Sequence, residues 1–295
     1  MGLYKQQRTL AAPVSFTGRG VHSGKTVHLT LHPAPPNYGI KFRRVDLPAE
    51  PMVSGHFNRV VDTSLATVIG ESGCIVSTIE HLMATFAGLS IDNAVVELDD
   101  YELPIMDGSA AVFTRGIREK GIVEQDAARF YFVIQKPIEL EENGKFVCVY
   151  PHEGQLITCT IDFDHPAIGR QTFEIELNEQ GFETEIAGAR TFGFLHEIEM
   201  LQFYGLAKGG SLDNAVAVDE SGVVNEEGLR WPDEFVRHKI LDCIGDFSLL
   251  GLPILGHIVL HKSGHNFNHE FLKTFFMHKQ CWKTVAPQTA ETVSG

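Results

Sequence analysis

The stretch RHKILDCIGD, from Arg237 to Asp246, places one histidine and two aspartates on a single face of a predicted helix. His238, Asp242 and Asp246 are spaced i, i+4 and i+8, and at about 100° per residue they drift only about 80° around the helix axis. Because side chains at i and i+4 are neighbours, His238 and Asp242 can bind one metal ion. We expect Gly245, near the same face, to leave room for a ligand. A catalytic zinc needs three protein ligands, so a third must come from elsewhere.

The composition restricts the kind of protein that this chain can be. Its 295 residues suggest about two domains. A formal net charge of −14 argues against a nucleic-acid partner, which would require phosphate neutralisation. The five cysteines are scattered without a CxxC motif, which argues against disulfides and thiolate zinc and favours a reducing cytoplasm. We find neither a secretory signal nor a run of about 18 apolar residues that would span a membrane.

Hydrophobic periodicity predicts alternating groups of strands and helices. The predicted strands are 24–34, 40–45, 93–98, 130–140, 145–151, 155–163, 171–177, 215–218 and 255–261, and the predicted helices are 77–89, 110–120, 195–206, 233–250 and 268–278. We expect strand 40–45 to pair with strand 24–34 across the intervening Pro/Asn/Gly turn. The pattern breaks near residues 121–129, which predicts an N-terminal α+β domain over 1–125, a C-terminal α+β domain over 126–283 and a polar, disordered tail over 284–295.

The chain also contains a short internal repeat. GLSIDNAVVE, residues 88–97, resembles GGSLDNAVAVD, residues 209–219. Each copy lies between a predicted helix and a predicted strand. A chance turn motif is the alternative, since Asp-Asn is common turn chemistry. We favour two related α+β halves.

Glu80 and His81 lie together inside the first predicted helix of the chain. Adjacent helical side chains point about 100° apart. His81 can therefore bind a cation while Glu80 reaches a metal-bound water as a proton acceptor. Taken alone, the pair is better explained as a solvated glutamate and a half-buried histidine. Similarly, the carboxylate of Asp242 could simply pair with Lys239 or Arg237 on a solvent-facing polar face.

Three further groups have chemical interpretations with ordinary alternatives. His265 follows a predicted strand and could be a general acid oriented by Asp246, or a histidine at a helix N-terminus satisfied by water. The Thr191 hydroxyl could donate to an oxyanion or merely cap a helix. The apolar positions Phe194, Ile198 and Leu201 follow helical spacing, which is typical of core packing and would form an acyl-chain wall only for a lipid substrate.

Taken together, these stretches closely resemble one family, the UDP-3-O-acyl-N-acetylglucosamine deacetylases of lipid A biosynthesis. The resemblance covers roughly Gln7 to His278, and its motifs occur in the family's order. The matching segments are Gly20–Gly24, Thr78–Leu82, Ile91–Asn93, Pro104–Ser109, Phe163–Pro166, Arg190–Phe194, Gly209–Ala215, His238–Asp242, Gly245–Asp246 and Ser263–His265. So many ordered matches outweigh the ordinary interpretations of the single groups. Ser64–Thr67 lies where some members of the family carry a cysteine near the metal.

The resemblance implies a fold class and a metal. The fold would be α+β, with two similar βααβ sandwich domains, helices packed between the sheets and the zinc site at the domain interface. Zn²⁺ would be held by His81, His238 and Asp242, with water in the remaining position.

The resemblance also assigns roles to the other groups. Glu80 would be the general base, His265 the general acid held by Asp246, and Thr191 the oxyanion donor. The substrate-binding residues would contact the nucleotide sugar and line the acyl passage together with the insert around 195–206. They are Lys239, Phe192, Phe194, Ile198 and Leu201.

The implied activity is zinc-dependent hydrolysis of the N-acetyl group of UDP-3-O-(3-hydroxyacyl)-N-acetylglucosamine, giving the 2-amino sugar and acetate in the committed step of lipid A biosynthesis. We expect a cytoplasmic monomer with at most peripheral contact to the inner membrane. The alternatives are an amidohydrolase for another N-acyl substrate, a scaffold that binds without turnover, and an interaction module. Joint retention of Glu80, His265 and Thr191 argues against the scaffold, because a pure binder needs none of them.

Overall fold

The computed structural model describes residues 3–287, and within that range the chain forms twenty β-strands and six α-helices. Strands β1 to β10 are Gln6–Leu10, Val14–Arg19, Thr26–Pro33, Ile40–Arg44, Met52–Ser54, Val60–Asp62, Val68–Glu71, Cys74–Val76, Ala94–Leu98 and Ile122–Ala128. Strands β11 to β20 are Tyr131–Ile134, Ile138–Glu142, Lys145–Tyr150, Gln155–Asp162, Arg170–Glu176, Phe192–Phe194, Val216–Asp219, Gly222–Val223, Ile254–His261 and Trp282–Val285. Helices α1 to α6 are Glu80–Gly88, Ala111–Lys120, Glu179–Gly181, Leu195–Phe203, Glu234–Ser248 and His265–Met277. Across the described residues, none of these helices combines the length and apolarity needed to cross a bilayer.

The two halves of the chain repeat one topology. The first sheet has the order β2-β3-β9-β4-β5, and five strands of the largest sheet follow the matching order β12-β13-β19-β14-β15. The central strand, β9 or β19, is antiparallel to one neighbour and parallel to the other in both halves. A buried helix precedes that central strand (α1 or α5) and another helix follows it (α2 or α6). The predicted α+β class with two related halves is confirmed.

The short sequence repeat does not mark equivalent positions in this duplication. Residues 88–97 lead from α1 into the central strand β9, whereas residues 209–219 lead from α4 into β17. Strand β17 belongs to a separate sheet of order β16-β17-β18. This sheet is inserted between β15 and α5, just as the sheet β6-β7-β8 is inserted between β5 and α1. The architecture is duplicated, but residues 88–97 and 209–219 resemble each other only because both contain residue types that favour turns.

Two sequence-based expectations about strands were wrong. Strand β4 does not pair with β3, because β9 lies between them, antiparallel to β3 and parallel to β4. A parallel neighbour requires a long crossover, which here passes through α1. The predicted strand 130–140 is divided into β11 and β12, and the break contains Pro137, which cannot donate to a strand ladder.

Three predicted boundaries also shift. Helix α6 begins at His265 rather than at residue 268. Strand β10 crosses the predicted domain boundary at residue 125 and pairs with β1. The predicted disordered tail starts too early, because Thr284 and Val285 belong to β20, which pairs with β11. The remainder of that tail prediction, residues 288–295, lies outside the described residues.

Helices α1 and α5 pack directly against each other, and α5 also packs on β14 and β15. The two helices approach closely at Gly245, where an added Cβ would lie 2.1 Å from the carbonyl oxygen of Glu80. The expectation that this glycine leaves room for a ligand was wrong, because the backbone of α1 occupies the space. The missing side chain instead brings together the two helices that carry the histidines.

We expect Gly245→Ala to destabilise the protein by at least about 1–3 kcal/mol, the cost typical of overpacking a tight core. The clash is with backbone atoms, which cannot rotate away as a side chain can. Chemical denaturation measures the change in the free energy of unfolding. Gly181→Ala is the matched control, since Gly181 is helical and an added Cβ would lie 3.4 Å from its nearest neighbour. Equal stability of the two variants would contradict the prediction.

Candidate metal centre and active site

Three buried side chains from both halves meet in one cluster. They are His81 from α1 and His238 and Asp242 from α5, and one donor atom from each lies within 4.8 Å of the others. The distance to Asp242 Oδ1 is 3.8 Å from His81 Nε2 and 3.3 Å from His238 Nε2. The two imidazole rings are nearly perpendicular, with centroids 5.0 Å apart. The i, i+4 spacing on α5 and the packing of α1 against α5 together produce this arrangement.

The donor set fits a metal cation. Among the described residues, Asp242 Oδ1 is one of the few buried side-chain oxygen and nitrogen atoms without a hydrogen-bond partner, and such an atom is costly unless something binds it. His238 Nδ1–H donates to the carbonyl oxygen of Ala189 at 3.0 Å, which leaves Nε2 free to face the cluster. A backbone carbonyl is a common partner for a metal-binding histidine, because it fixes the tautomer and the ring orientation.

The protonation states of the cluster also suit a metal. Burial, reinforced by the neighbouring His238, lowers the pKa of His81 to about 3, and burial also lowers the pKa of His238. Burial by itself would raise the pKa of Asp242, but Lys239 and the surrounding histidines hold it below its usual range. Two neutral imidazoles and one carboxylate are the forms that bind a divalent ion. The Nζ of Lys239 donates to Asp242 Oδ2 at 2.7 Å.

Glu80 is the first residue of α1 and lies beside the cluster. Its Oε2 accepts a hydrogen bond from the backbone N–H of Thr67 at 3.1 Å, and its Oε1 lies 3.7 Å from His265 Nε2. Burial raises the pKa of Glu80 to about 7, although His265 opposes that change. A carboxylate whose pKa lies near neutrality can both accept and release a proton at the working pH.

The half-buried His265 and the buried Asp246 form a pair beside Glu80. His265 Nδ1–H donates to Asp246 Oδ2 at 2.8 Å, and Asn268 Nδ2 donates to the same oxygen at 2.8 Å. Burial alone would lower the pKa of His265, but the carboxylates of Asp246 and Asp242 raise it to about 10. His265 is therefore a cation at neutral pH, with Nε2 lying 3.9 Å from Asp242 Oδ2.

Two of the predicted substrate-binding residues, Phe192 and Lys239, lie beside this cluster. The ring centroid of Phe192 is 6.2 Å from that of His238, and Lys239 Nζ lies 5.7 Å from the same phenyl ring. Thr191 immediately precedes Phe192, and its backbone N–H donates to the carbonyl oxygen of Gly108 at 2.8 Å. The role of the Thr191 hydroxyl as the oxyanion donor stays a prediction.

The predicted acyl-chain wall consists of Phe194, the last residue of β16, and of Ile198 and Leu201 on α4, which packs against β16 and β17. Phe194, Ile198 and Leu201 are half-buried, and α4 has no fully buried residue. The Phe194 ring lies 6.1 Å from Phe163 and 5.5 Å from His165. An ordinary core helix would bury its apolar side, so these partly exposed side chains leave apolar surface that an acyl chain could cover.

Sequence reasoning missed Thr67, which contacts both carboxylates that flank the cluster. Its Oγ1 donates to Asp246 Oδ1 at 2.6 Å, in addition to the contact of its backbone N–H with Glu80. Thr67 lies in the loop between β6 and β7. The family resemblance placed the segment 64–67 near the metal but gave Thr67 no role, because its contacts depend on the tertiary structure.

Fold and site together define the class: an α+β protein of two duplicated halves with a buried His–His–Asp site of the kind that metal-dependent hydrolases use. The chain belongs to the UDP-3-O-acyl N-acetylglycosamine deacetylase family, whose model matches residues 7–277. It is 48% identical over 285 residues to a UDP-3-O-acyl-N-acetylglucosamine deacetylase of Myxococcus xanthus, covering 97% of this chain and 91% of that protein. It is 49% identical over 285 residues to the protein of the same name from Syntrophotalea carbinolica, covering 95% of this chain and 90% of that protein. The family resemblance inferred from the motifs is confirmed.

Proposed function

We propose that this chain hydrolyses the N-acetyl group of UDP-3-O-(3-hydroxyacyl)-N-acetylglucosamine to give the 2-amino sugar and acetate. The observation that carries the proposal is the buried His81–His238–Asp242 cluster beside Glu80 and His265, in a chain of this family. The metal is Zn²⁺, since two imidazoles and one carboxylate are a common catalytic zinc set. When bound, Zn²⁺ acts as a Lewis acid that polarises the amide carbonyl and lowers the pKa of water.

Glu80 accepts the proton of the attacking water. Its pKa of about 7 leaves a substantial fraction ionised at neutral pH. The backbone N–H of Thr67 holds one carboxylate oxygen, and the other lies 3.7 Å from His265 Nε2. A new C–O bond forms between the water oxygen and the carbonyl carbon. The Thr191 hydroxyl donates to the oxyanion that develops on the former carbonyl oxygen, a contribution commonly worth about 2.7–4 kcal/mol of the barrier.

His265 donates a proton to the leaving nitrogen as the C–N bond breaks. Its elevated pKa keeps the imidazole protonated, and the bond from Nδ1 to Asp246 leaves Nε2–H as the proton that can be given away. The amine of the sugar departs with this proton, and the acetyl group departs as acetic acid, which ionises to acetate at neutral pH. Glu80 and His265 therefore exchange one proton each with the reactants.

The substrate lies along the predicted binding residues. Phe192 packs against the sugar, Lys239 contacts the anionic part of the nucleotide sugar, and α4 covers the hydroxyacyl chain with Phe194, Ile198 and Leu201. The half-exposed apolar side chains of α4 support this placement. We also propose that the two domains divide within β10, near residue 125, and that the protein is a cytoplasmic monomer that makes at most peripheral contact with the inner membrane.

Removal of the metal tests the proposal. We expect one Zn²⁺ per chain in metal analysis of the purified protein, and chelation should abolish release of acetate from the acylated UDP sugar. Added Zn²⁺ should restore acetate release, because the three ligands are buried and held by the fold. Turnover that survives complete removal of metal would contradict the zinc mechanism, and metal analysis that finds iron instead would correct the metal. If α4 binds the acyl chain, a substrate with a truncated acyl chain should be turned over more slowly.

A further inference from the structure

Thr67 connects the two halves of the active site through a single side chain. It lies on the loop between β6 and β7 of the first half, and its Oγ1 reaches Asp246 on α5 of the second half. The distance from Oγ1 to Asp246 Oδ1 is 2.6 Å, and Oγ1 also lies 3.3 Å from His265 Nδ1. Thr67 is 2% exposed and Asp246 is 2% exposed, so water does not compete for these contacts.

The backbone of Thr67 is fixed independently of its hydroxyl. Its N–H donates to Glu80 Oε2 at 3.1 Å, and its carbonyl oxygen accepts from the backbone N–H of Ile79 at 3.4 Å. Ile79 precedes α1 and offers no side-chain cap to that helix. The loop is therefore attached to the start of α1, and the hydroxyl projects from a fixed position towards α5.

The hydrogen bonds around Asp246 can be assigned completely. Oδ2 accepts from His265 Nδ1–H and from Asn268 Nδ2, so the only donor to Oδ1 among the described residues is the Thr67 hydroxyl. The hydroxyl has one proton and gives it to Asp246. With both oxygens held, the carboxylate cannot rotate, and the imidazole that it binds is fixed in turn.

We propose that Thr67 is a positioning residue for deacetylation, which aligns both proton-transfer groups. Its backbone N–H orients Glu80, and its hydroxyl orients His265 through Asp246. This inference depends on the proposed function. Because the hydroxyl acts only on Asp246 and His265, its removal should affect the chemical step rather than substrate binding.

Two matched pairs of proteins separate the effect of the Thr67 hydroxyl from the effect of side-chain shape. Thr67→Val keeps the shape of threonine but removes the hydroxyl, and the variants Thr67→Ser and Thr67→Ala differ from each other by one oxygen. We expect Thr67→Val and Thr67→Ala to lower kcat about tenfold to a hundredfold, the range that corresponds to a lost hydrogen bond to a charged group. KM and metal content should stay near wild-type values, and Thr67→Ser should retain kcat within about threefold.

A second measurement is independent of turnover. In nuclear magnetic resonance of the purified enzyme, the Nδ1–H proton of His265 should exchange slowly with water, since it donates to the buried carboxylate of Asp246. Thr67→Val and Thr67→Ala should lose this slowly exchanging signal, and Thr67→Ser should keep it. In an Asp246→Ala background, Thr67→Val should have little further effect on kcat, because the carboxylate through which it acts is gone.

Several outcomes would overturn the inference. Normal kcat in Thr67→Val would remove any role for the hydroxyl. Equal loss in Thr67→Ser and Thr67→Ala, or loss of metal or of folding in both, would assign Thr67 to packing alone. Wild-type protein that shows the expected His265 signal but no deacetylation would contradict the proposed function and leave the alignment of His265 in place.

Discussion

Glu80→Gln should lower kcat for deacetylation by about 10²–10⁴-fold, the usual contribution of a general base. At about 1.36 kcal/mol per tenfold change, this corresponds to roughly 2.7–5.5 kcal/mol in the barrier. Glutamine preserves the shape of the side chain and can still bond to the N–H of Thr67, but it cannot accept a proton. Because Glu80 is not among the three predicted metal ligands, the metal content should stay near the wild-type level. Steady-state kinetics and metal analysis of the same preparations measure both effects.

Glu119→Gln serves as the control for this prediction. Glu119 is an exposed residue of α2, and its neutralisation should leave both kcat and metal content unchanged. If Glu80→Gln turned over at the wild-type rate, Glu80 could not be the base. If Glu80→Gln lost its metal, the carboxylate would have to be counted among the ligands instead.

His265→Ala should also lower kcat by about 10²–10⁴-fold, because the leaving nitrogen would lose its proton donor. The variant should in addition change the pH profile. Glu80 must be ionised and His265 protonated, so wild-type activity rises as pH increases through the pKa of Glu80, about 7, and falls as pH increases through the pKa of His265, about 10. A bound dication lowers both pKa values, so both midpoints should lie at or below these values.

The basic limb of that profile identifies the role of His265. In His265→Ala the basic limb should disappear while the acid limb remains, and kcat measured from about pH 5 to about pH 11, past both midpoints, tests this. His152→Ala, which removes an exposed histidine, should keep both limbs. A basic limb that persists in His265→Ala would have to come from another group, and the general-acid assignment would fail.

Local patterns in the sequence were enough to predict the helices that carry the site. The 3.6-residue periodicity placed Glu80 and His81 on one helix, and the spacing of His238, Asp242 and Asp246 placed three groups on one face of another. These features depend on neighbouring residues alone, which is why α1 and α5 were predicted within a few residues of their observed ends. The ordered motifs then predicted the family.

Interactions between distant segments could not be predicted in the same way. The pairing of β4 with β9 rather than with β3 depends on a crossover through α1. The short repeat suggested the correct duplication from positions that are not equivalent. Gly245 was expected to make room for a ligand, although the backbone of Glu80 fills that space. Each of these outcomes depends on which segments meet, and single-segment patterns do not contain that information.

The sequence by itself therefore determined which chemical groups the chain offers, on which helices they lie, and to which family the chain belongs. The family resemblance implied that His81 meets His238 and Asp242, and the structure brings these three side chains together. Only the tertiary structure showed that Thr67 reaches Asp246 across 179 positions of sequence. The physical reason is that periodicity sets the face of a helix on which a residue lies. The partner of that face is set by the packing of whole helices and sheets.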